Sequence, residues 1–169
     1  MDSRGGVVLD SSVALAWGFE DESDAYAVAV TGVMGALRAY VPAIWPLEVA
    51  KTLVVGERRG RTTREKVARF LAILEGYRVV IDSETVAHAW GDTMALARAH
   101  GLSVYDAAYL ELAPRLGLPL ATLDKRLKAA ASVVGVPLWA ASGHPWSRHR
   151  TGECLECRET AATRCRRER

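Results

Sequence analysis

Four carboxylates each sit in a distinctive local setting, Asp10, Glu48, Asp106 and Asp124, and three of the four have apolar residues on both sides, where a lone negative charge is costly. Asp10 closes the apolar run Val7-Val8-Leu9 and is followed by Ser11-Ser12. Glu48 lies in Ile44-Trp45-Pro46-Leu47-Glu48-Val49-Ala50, and Asp106 in Ser103-Val104-Tyr105-Asp106-Ala107-Ala108-Tyr109-Leu110. Asp124 ends Leu118-Pro119-Leu120-Ala121-Thr122-Leu123-Asp124. A buried carboxylate must find a partner, a metal or a proton. Four of them, scattered along the chain, suggest one metal pocket assembled by folding. Oxygen ligands without His or Cys nearby select Mg2+, or Mn2+ as a substitute, rather than zinc. Such a site polarises a phosphoryl oxygen and activates water, so the set implies phosphodiester hydrolysis. For any one acid, a helix cap or a first-turn residue favoured by the helix dipole is an equally good reading. Asp106 resists it best, because its neighbours on both sides read as buried.

The elements that position these acids are short. Val7 to Leu9 reads as a buried strand, Asp10-Ser11-Ser12 as a capped helix start, and Val13 to Trp17 as a short helix. A longer helix is expected from Glu22 to Ala39, weakened by Gly32 and Gly35. Tyr40 to Ala43 is a second strand, and Pro46 suits the first turn of a helix reaching Arg59. Thr62 and Glu65 have capping-box spacing for a helix that Gly76 ends. Arg78 to Ile81 is a third strand, and a helix runs from Asp82 or Ser83 to just before Gly101. Another helix carries Asp106 and ends between Pro114 and Gly117. Leu118 to Thr122 is a fourth strand, Leu123 to Ala131 a helix, and Val136 to Trp139 a fifth strand. Strands alternating with helices indicate an α/β domain, with a mostly parallel sheet of about five strands covered by helices on both faces. Ligands of such sheets bind beyond the carboxyl ends of the strands. Asp10 and Asp124 come at strand ends, and the helix starts holding Glu48 and Asp106 can face the same edge.

The pattern stops near Trp139, which divides the chain into a domain over 1–140 and a polar, arginine-rich tail over 141–169. Net charge reinforces that division. The whole chain carries 22 basic and 20 acidic residues, a net +2. The tail holds seven arginines and four glutamates, so 1–140 carries 15 basic and 16 acidic residues, a net −1. The folded body is therefore not a nucleic-acid binder by bulk charge. It does hold a local basic cluster: Arg58, Arg59, Arg61, Arg64, Lys66 and Arg69. Half the residues are hydrophobic and a quarter charged, as in a soluble globular protein. The uncharged stretch Ala25 to Leu37 is too short to span a bilayer, and the N-terminus does not read as a signal peptide. A cytoplasmic protein with no membrane association is expected. All three cysteines lie in the tail, so nothing in the body suggests a disulfide framework.

On these residues the chain resembles PIN-domain ribonucleases, specifically the VapC-like toxins of toxin–antitoxin pairs. The likeness rests on Val8-Leu9-Asp10-Ser11-Ser12, Pro46-Leu47-Glu48-Val49-Ala50, Tyr105-Asp106-Ala107-Ala108-Tyr109 and Ala121-Thr122-Leu123-Asp124-Lys125-Arg126-Leu127, in that order over about residues 6–140. It implies a Rossmann-like three-layer α/β/α sandwich, an acidic Mg2+ site and endonucleolytic cleavage of RNA. It also implies a homodimer, a small cognate antitoxin, and contact with DNA only through that antitoxin. Ser12 and Thr122 fit positions that orient the carboxylates, and equally fit a helix cap and a buried hydroxyl. The tail is a departure from the family pattern.

Other readings weigh less. A catalytically silent scaffold of the same fold, binding RNA or a partner, is the alternative, and the presence of all four acids argues against it. A dinucleotide-binding domain needs a glycine-rich turn after the first strand, and Asp10-Ser11-Ser12-Val13 has none. A haloacid-dehalogenase-type phosphatase wants an Asp where Ser12 stands. A response-regulator receiver has one feature in its favour, Asp82 after Val79-Val80-Ile81. Arg58, Arg59, Arg61 and Arg64 are candidates for contact with RNA or a protein partner, against the plainer reading of a solvated surface. Trp17, Trp45 and Trp90 read as core. Cys154, Cys157 and Cys165 with His149 or His144 make a weak zinc pattern. An unstructured extension is the better account of the tail. His88 and His100 receive no role.

Overall fold

The computed structural model describes residues 5–19 and 24–140. The first strand, β1 (Gly6–Leu9), is an apolar run because helices cover both faces of the sheet. Val7, Val8 and Leu9 have no exposed surface. Two parallel neighbours flank it. On one side lies β2 (Arg38–Val41), with Val7 opposite Ala39, and beyond it β3 (Val79–Ile81). On the other side lies β4 (Leu120–Ala121), with Val8 opposite Leu120. The order β3-β2-β1-β4 means that the chain moves outward through β2 and β3, then returns across β1. The direction of winding therefore reverses between β1 and β4. Such a reversal opens a crevice at the carboxyl ends of its two strands.

Helices close both faces. The helix α1 (Ser11–Gly18) follows β1 directly, and α2 (Ala25–Val33) leads to β2. Next, α3 (Trp45–Arg58), with Pro46 in its first turn, and α4 (Arg64–Glu75) form a hairpin before β3. After β3 come α5 (Thr85–His88), a π-helical turn over Ala89–Thr93, and α6 (Met94–His100). The most buried helix, α7 (Val104–Leu116), precedes β4, and α8 (Lys125–Val133) follows it. Gly101 and Gly117, at φ +62 and +64, end α6 and α7 in the left-handed conformation that glycine adopts without steric cost.

Several local expectations are corrected. The sheet has four strands. The segment expected as a fifth makes only a bridge between Leu120 and Leu138, because Pro137 lacks an amide to extend the ladder. The second helix begins at Ala25, capped by Asp24, and stops at Val33. Thr63, not Thr62, caps α4 by accepting from the Lys66 amide, while Thr62 is buried. Trp90 is not core: it is 88% exposed on the π turn. Trp17 is partly buried and Trp45 buried, as expected. Among the described residues, no helix is long and apolar enough to cross a membrane. The cysteines and the proposed zinc ligands lie outside the described residues.

Candidate active site

Asp10 is the first residue after β1 and is only 4% exposed. It occupies the N-cap position of α1 yet makes no side-chain capping bond. Its carboxylate instead accepts two short bonds from hydroxyls, and a longer third, to Oδ1, from Ser11 Oγ at 3.5 Å. Ser12 Oγ donates to Oδ2 at 2.5 Å and Thr122 Oγ1 donates to the same oxygen at 2.6 Å. Each hydroxyl is also an acceptor, which fixes where its proton points. Ser12 Oγ accepts from the Leu123 amide at 3.0 Å, and Thr122 Oγ1 from the Asp124 amide at 3.0 Å. The two strand ends are tied again by the Asp10 amide, which donates to the Ala121 carbonyl at 2.9 Å. Ser12 and Thr122 thus hold Asp10 across the crevice between β1 and β4.

Glu48 comes from the first turn of α3 and is half-buried. Its Oε2 accepts a short hydrogen bond from the hydroxyl of Tyr109, which projects from α7. Asp106 lies in the first turn of α7, one helical turn before Tyr109. Ser103 caps that helix: its Oγ accepts from the Asp106 amide at 3.0 Å and donates to Asp106 Oδ2 at 2.7 Å. The buried surroundings expected for Asp106 are one-sided. Val104 and Tyr105 are 49% and 57% exposed, whereas Ala107, Ala108, Tyr109 and Leu110 are buried. A helix presents one face to the core, so the start of α7 has a wet side and a dry side.

The charges bear on one another. Burial pushes the Asp10 carboxyl above its usual range, the Ser12 and Thr122 hydroxyls oppose that, and the charge of Asp106 adds to it. Burial also raises Glu48. The Tyr109 hydrogen bond opposes the rise, and Asp10 and Asp106 reinforce it. Burial and the charges of Asp10 and Glu48 push the Tyr109 phenol up, so it stays a donor. Asp10, Glu48 and Asp106 therefore form one repelling group of carboxylates, and the bonds holding Asp10 come from hydroxyls. An all-oxygen anionic donor set of this kind suits a hard divalent cation.

Asp124 stands at the margin. Its Oδ1 accepts from the Leu127 amide at 2.7 Å, an ordinary cap for α8, and it reaches Asp10 only through Thr122. Arg58, Arg59, Arg61 and Arg64 are exposed on the α3–α4 hairpin. Arg58 is about 15 Å along α3 from Glu48, and Arg61 stacks over Phe19 at 4.7 Å. The structure therefore does not bring the arginines into the acid crevice.

A second polar cluster went unread in the sequence. Asp82, just after β3, receives both terminal nitrogens of Arg115, at 3.1 and 2.8 Å, and the Thr85 hydroxyl at 2.8 Å. Arg115 also donates to both oxygens of Glu111, at 2.6 and 3.1 Å. Burial opposes ionisation of Asp82, but Arg115 and Thr85 outweigh it and hold the carboxyl below its usual range. The Asp that favoured a receiver reading is thus sealed by an ion pair. His88 Nδ1 lies 3.6 Å from Glu111 and 3.3 Å from Asp92. Among the described residues, His88, Asp92 and Glu111 are the one trio of metal-capable side chains whose ligand atoms all fall within 4.8 Å. A cation there would compete with Arg115 for both oxygens of Glu111. The Glu111-to-Arg115 spacing of four on a helix was the available signal, but nothing in sequence pointed to Asp82 as the third member.

A family model described as PIN domain matches residues 7–133. Ribonuclease VapC3 of Pyrobaculum aerophilum is 38% identical to this chain over 80 residues, which is 47% of this chain and 61% of that protein. The chain thus spans less than two thirds of that relative's length. A solved structure from the same organism, PAE2754, is 23% identical and covers 76% of this chain and 86% of its own, with a TM-score of 0.56. It has the same fold.

Proposed function

The chain belongs to the PIN-domain family, and from that membership and the acid crevice we propose that it is a metal-dependent endoribonuclease, the toxin of a toxin–antitoxin pair. One observation carries the reading: a buried Asp10 held by two hydroxyls, with Glu48 and Asp106 close enough to repel it. A fold does not keep such an arrangement for stability, because bare carboxylates at close quarters are unfavourable until a cation joins them. The relative with 38% identity is named a ribonuclease, which supports RNA as the substrate class.

Asp10, Glu48 and Asp106 are the residues that would hold the cation, with Asp124 completing the pocket from its margin. Mg2+, or Mn2+ in its place, supplies positive charge to the scissile phosphate and to the attacking water when bound. The chain does the rest. Ser12 and Thr122 fix the direction of the Asp10 carboxylate, and Ser103 does the same for Asp106. Glu48 keeps one oxygen on Tyr109 and offers the other to the cation or to the attacking water. The crevice lies at the carboxyl ends of the strands with the exposed start of α7 as its rim.

A small antitoxin is the partner in this reading, and its basic side chain enters the crevice to pair with Asp10 or Asp106 in place of the cation. An apolar groove of about 450 Å3 between α3, α4 and β3 supports it. Trp45 and Pro46 line one end of that groove, on the same helical turn that carries Glu48. An apolar segment lying there leads toward the acids. The chain acts in the cytoplasm as a homodimer, and its exposed hairpin arginines meet RNA phosphates or the partner.

The test is cleavage of one RNA by wild type and by Asp106→Asn, each with Mg2+ and with EDTA. We expect cleavage by wild type with Mg2+ alone. Cleavage that survives both EDTA and the substitution overturns the reading. RNA binding without cleavage under any metal favours the silent scaffold. Co-expression with the cognate small protein is expected to yield a stable, inactive complex.

A further inference from the structure

We propose that Tyr109 is a positioning residue of the acid crevice: its hydroxyl, donated from α7, fixes the Glu48 carboxylate of α3 so that three carboxylates meet the cation already arranged. The inference rests on the metal-dependent reading above and goes beyond its four acids.

Three observations carry it. First, Tyr109 has no exposed surface and heads the large, fully buried side chains, so its ring cannot move to suit a partner. Its hydroxyl is therefore a fixed point in the molecule, and it is spent on Glu48 Oε2, a residue 61 positions away. Second, Glu48 has little else to hold it. Asp10 and Asp106 repel its carboxylate, and the opposing pull of Lys51 is weaker than either. A half-buried glutamate with three rotatable bonds and two anionic neighbours swings toward solvent unless a donor restrains it. Third, Asp106 and Tyr109 lie three residues apart on α7, which places them on one face of the helix. A single rigid element thus carries one ligand of the proposed cation and the donor that sets another. Ser12 and Thr122 perform the same service for Asp10, so every carboxylate of the repelling group has a hydroxyl donor of its own.

The alternative is that the phenol merely satisfies a buried polar atom. The two accounts separate in metal affinity. Tyr109→Phe keeps the ring and the packing and removes only the donor. If Tyr109 positions Glu48, the Mn2+ dissociation constant of the full chain, read by the loss of the free-ion paramagnetic resonance signal, rises by about tenfold, the scale of a hydrogen bond to a charged group. Much of the lost RNA cleavage returns when Mn2+ is raised in proportion. In the Glu48→Ala background the same substitution then leaves Mn2+ affinity unaltered, because the two residues act as one unit. A Mn2+ affinity within twofold of wild type, or a full tenfold effect that persists without Glu48, overturns the proposal. Thermal melting of the metal-free Tyr109→Phe protein accompanies these measurements and confirms that it is folded. If wild type itself binds no Mn2+, the metal-dependent reading fails. If wild type binds and Tyr109→Phe binds equally well, only the role of Tyr109 fails.

Discussion

One helix, α7, carries two acidic clusters that the protein treats in opposite ways. At its start, Asp106 joins Asp10 and Glu48, and their hydrogen-bond partners are hydroxyls: Ser103, Ser12, Thr122 and Tyr109. In its second half, Glu111 joins Asp82, and both are gripped by the guanidinium of Arg115. Hydroxyls orient a carboxylate without cancelling its charge, whereas a guanidinium cancels it and takes up its lone pairs. The first cluster keeps its negative charge on hydroxyl donors, whereas in the second one positive charge is shared between two carboxylates. Proximity of acids does not separate the two. The chemistry of the donors does.

In the proposed reading the first cluster is functional and the second structural, and the largest expected effect tests that split. Asp106→Asn should slow RNA cleavage at least about a hundredfold, roughly 2.7 kcal/mol of transition-state stabilisation, while the protein melts no lower than wild type. Asp82→Ala should do the reverse. It strands part of the Arg115 charge, and because Glu111 still holds the other side, the expected cost is about 2 kcal/mol in denaturant unfolding. Cleavage per folded molecule should stay near wild type. Should Asp82→Ala abolish cleavage in a protein that melts normally, the division of labour is wrong.

pH sharpens the contrast without any effect on cleavage being needed. Asp10 and Glu48 have folded-state pKa values raised above 3.8 and 4.5 by burial. Their contribution to stability is fully present below those values and is lost as pH rises through the raised ones. Asp82 is held below 3.8. Its contribution is present above 3.8 and is lost as pH falls through the depressed value. In the absence of metal, Asp10→Asn should thus melt higher than wild type by a margin that opens as pH rises from about 4 toward neutrality. Added Mg2+ should close that margin, because only wild type keeps the full site. Melting curves of both proteins across pH, with and without Mg2+, decide this. A margin that is constant with pH would mean that burial and its neighbours do not raise the Asp10 carboxyl in the fold.

The smallest effect is expected from the tail. Among the described residues, the core runs from Val7 to Trp139. Removing residues 142–169 should leave the melting temperature and the cleavage rate nearly unchanged, and stoichiometric zinc in the purified full chain would contradict that.

Much of the crevice was legible because its signals are local. An acid at the end of Val7-Val8-Leu9, or beside the buried Ala107-Ala108-Tyr109-Leu110, conflicts with its surroundings in a way that a short window of sequence displays. The fifth strand was misread for a related reason: Val136-Pro137-Leu138-Trp139 has strand composition, but its proline denies the ladder an amide. Trp90 was misread because a tryptophan on a helix is normally core, and here a π turn carries it outward. The role of Tyr109 and the Asp82–Arg115–Glu111 cluster were not legible, since each joins residues from elements distant in the chain.

The sequence by itself determined the alternation of strands and helices, the buried first strand, and which carboxylates stand in apolar settings, because periodicity and local composition carry that information. Only the tertiary structure decided which acids meet, which hydroxyls hold them and which arginine cancels the others. Those outcomes depend on the reversal of winding between β1 and β4 and on the rotation of α7 against α3. Both are set by packing of the whole core, which no local window of residues contains.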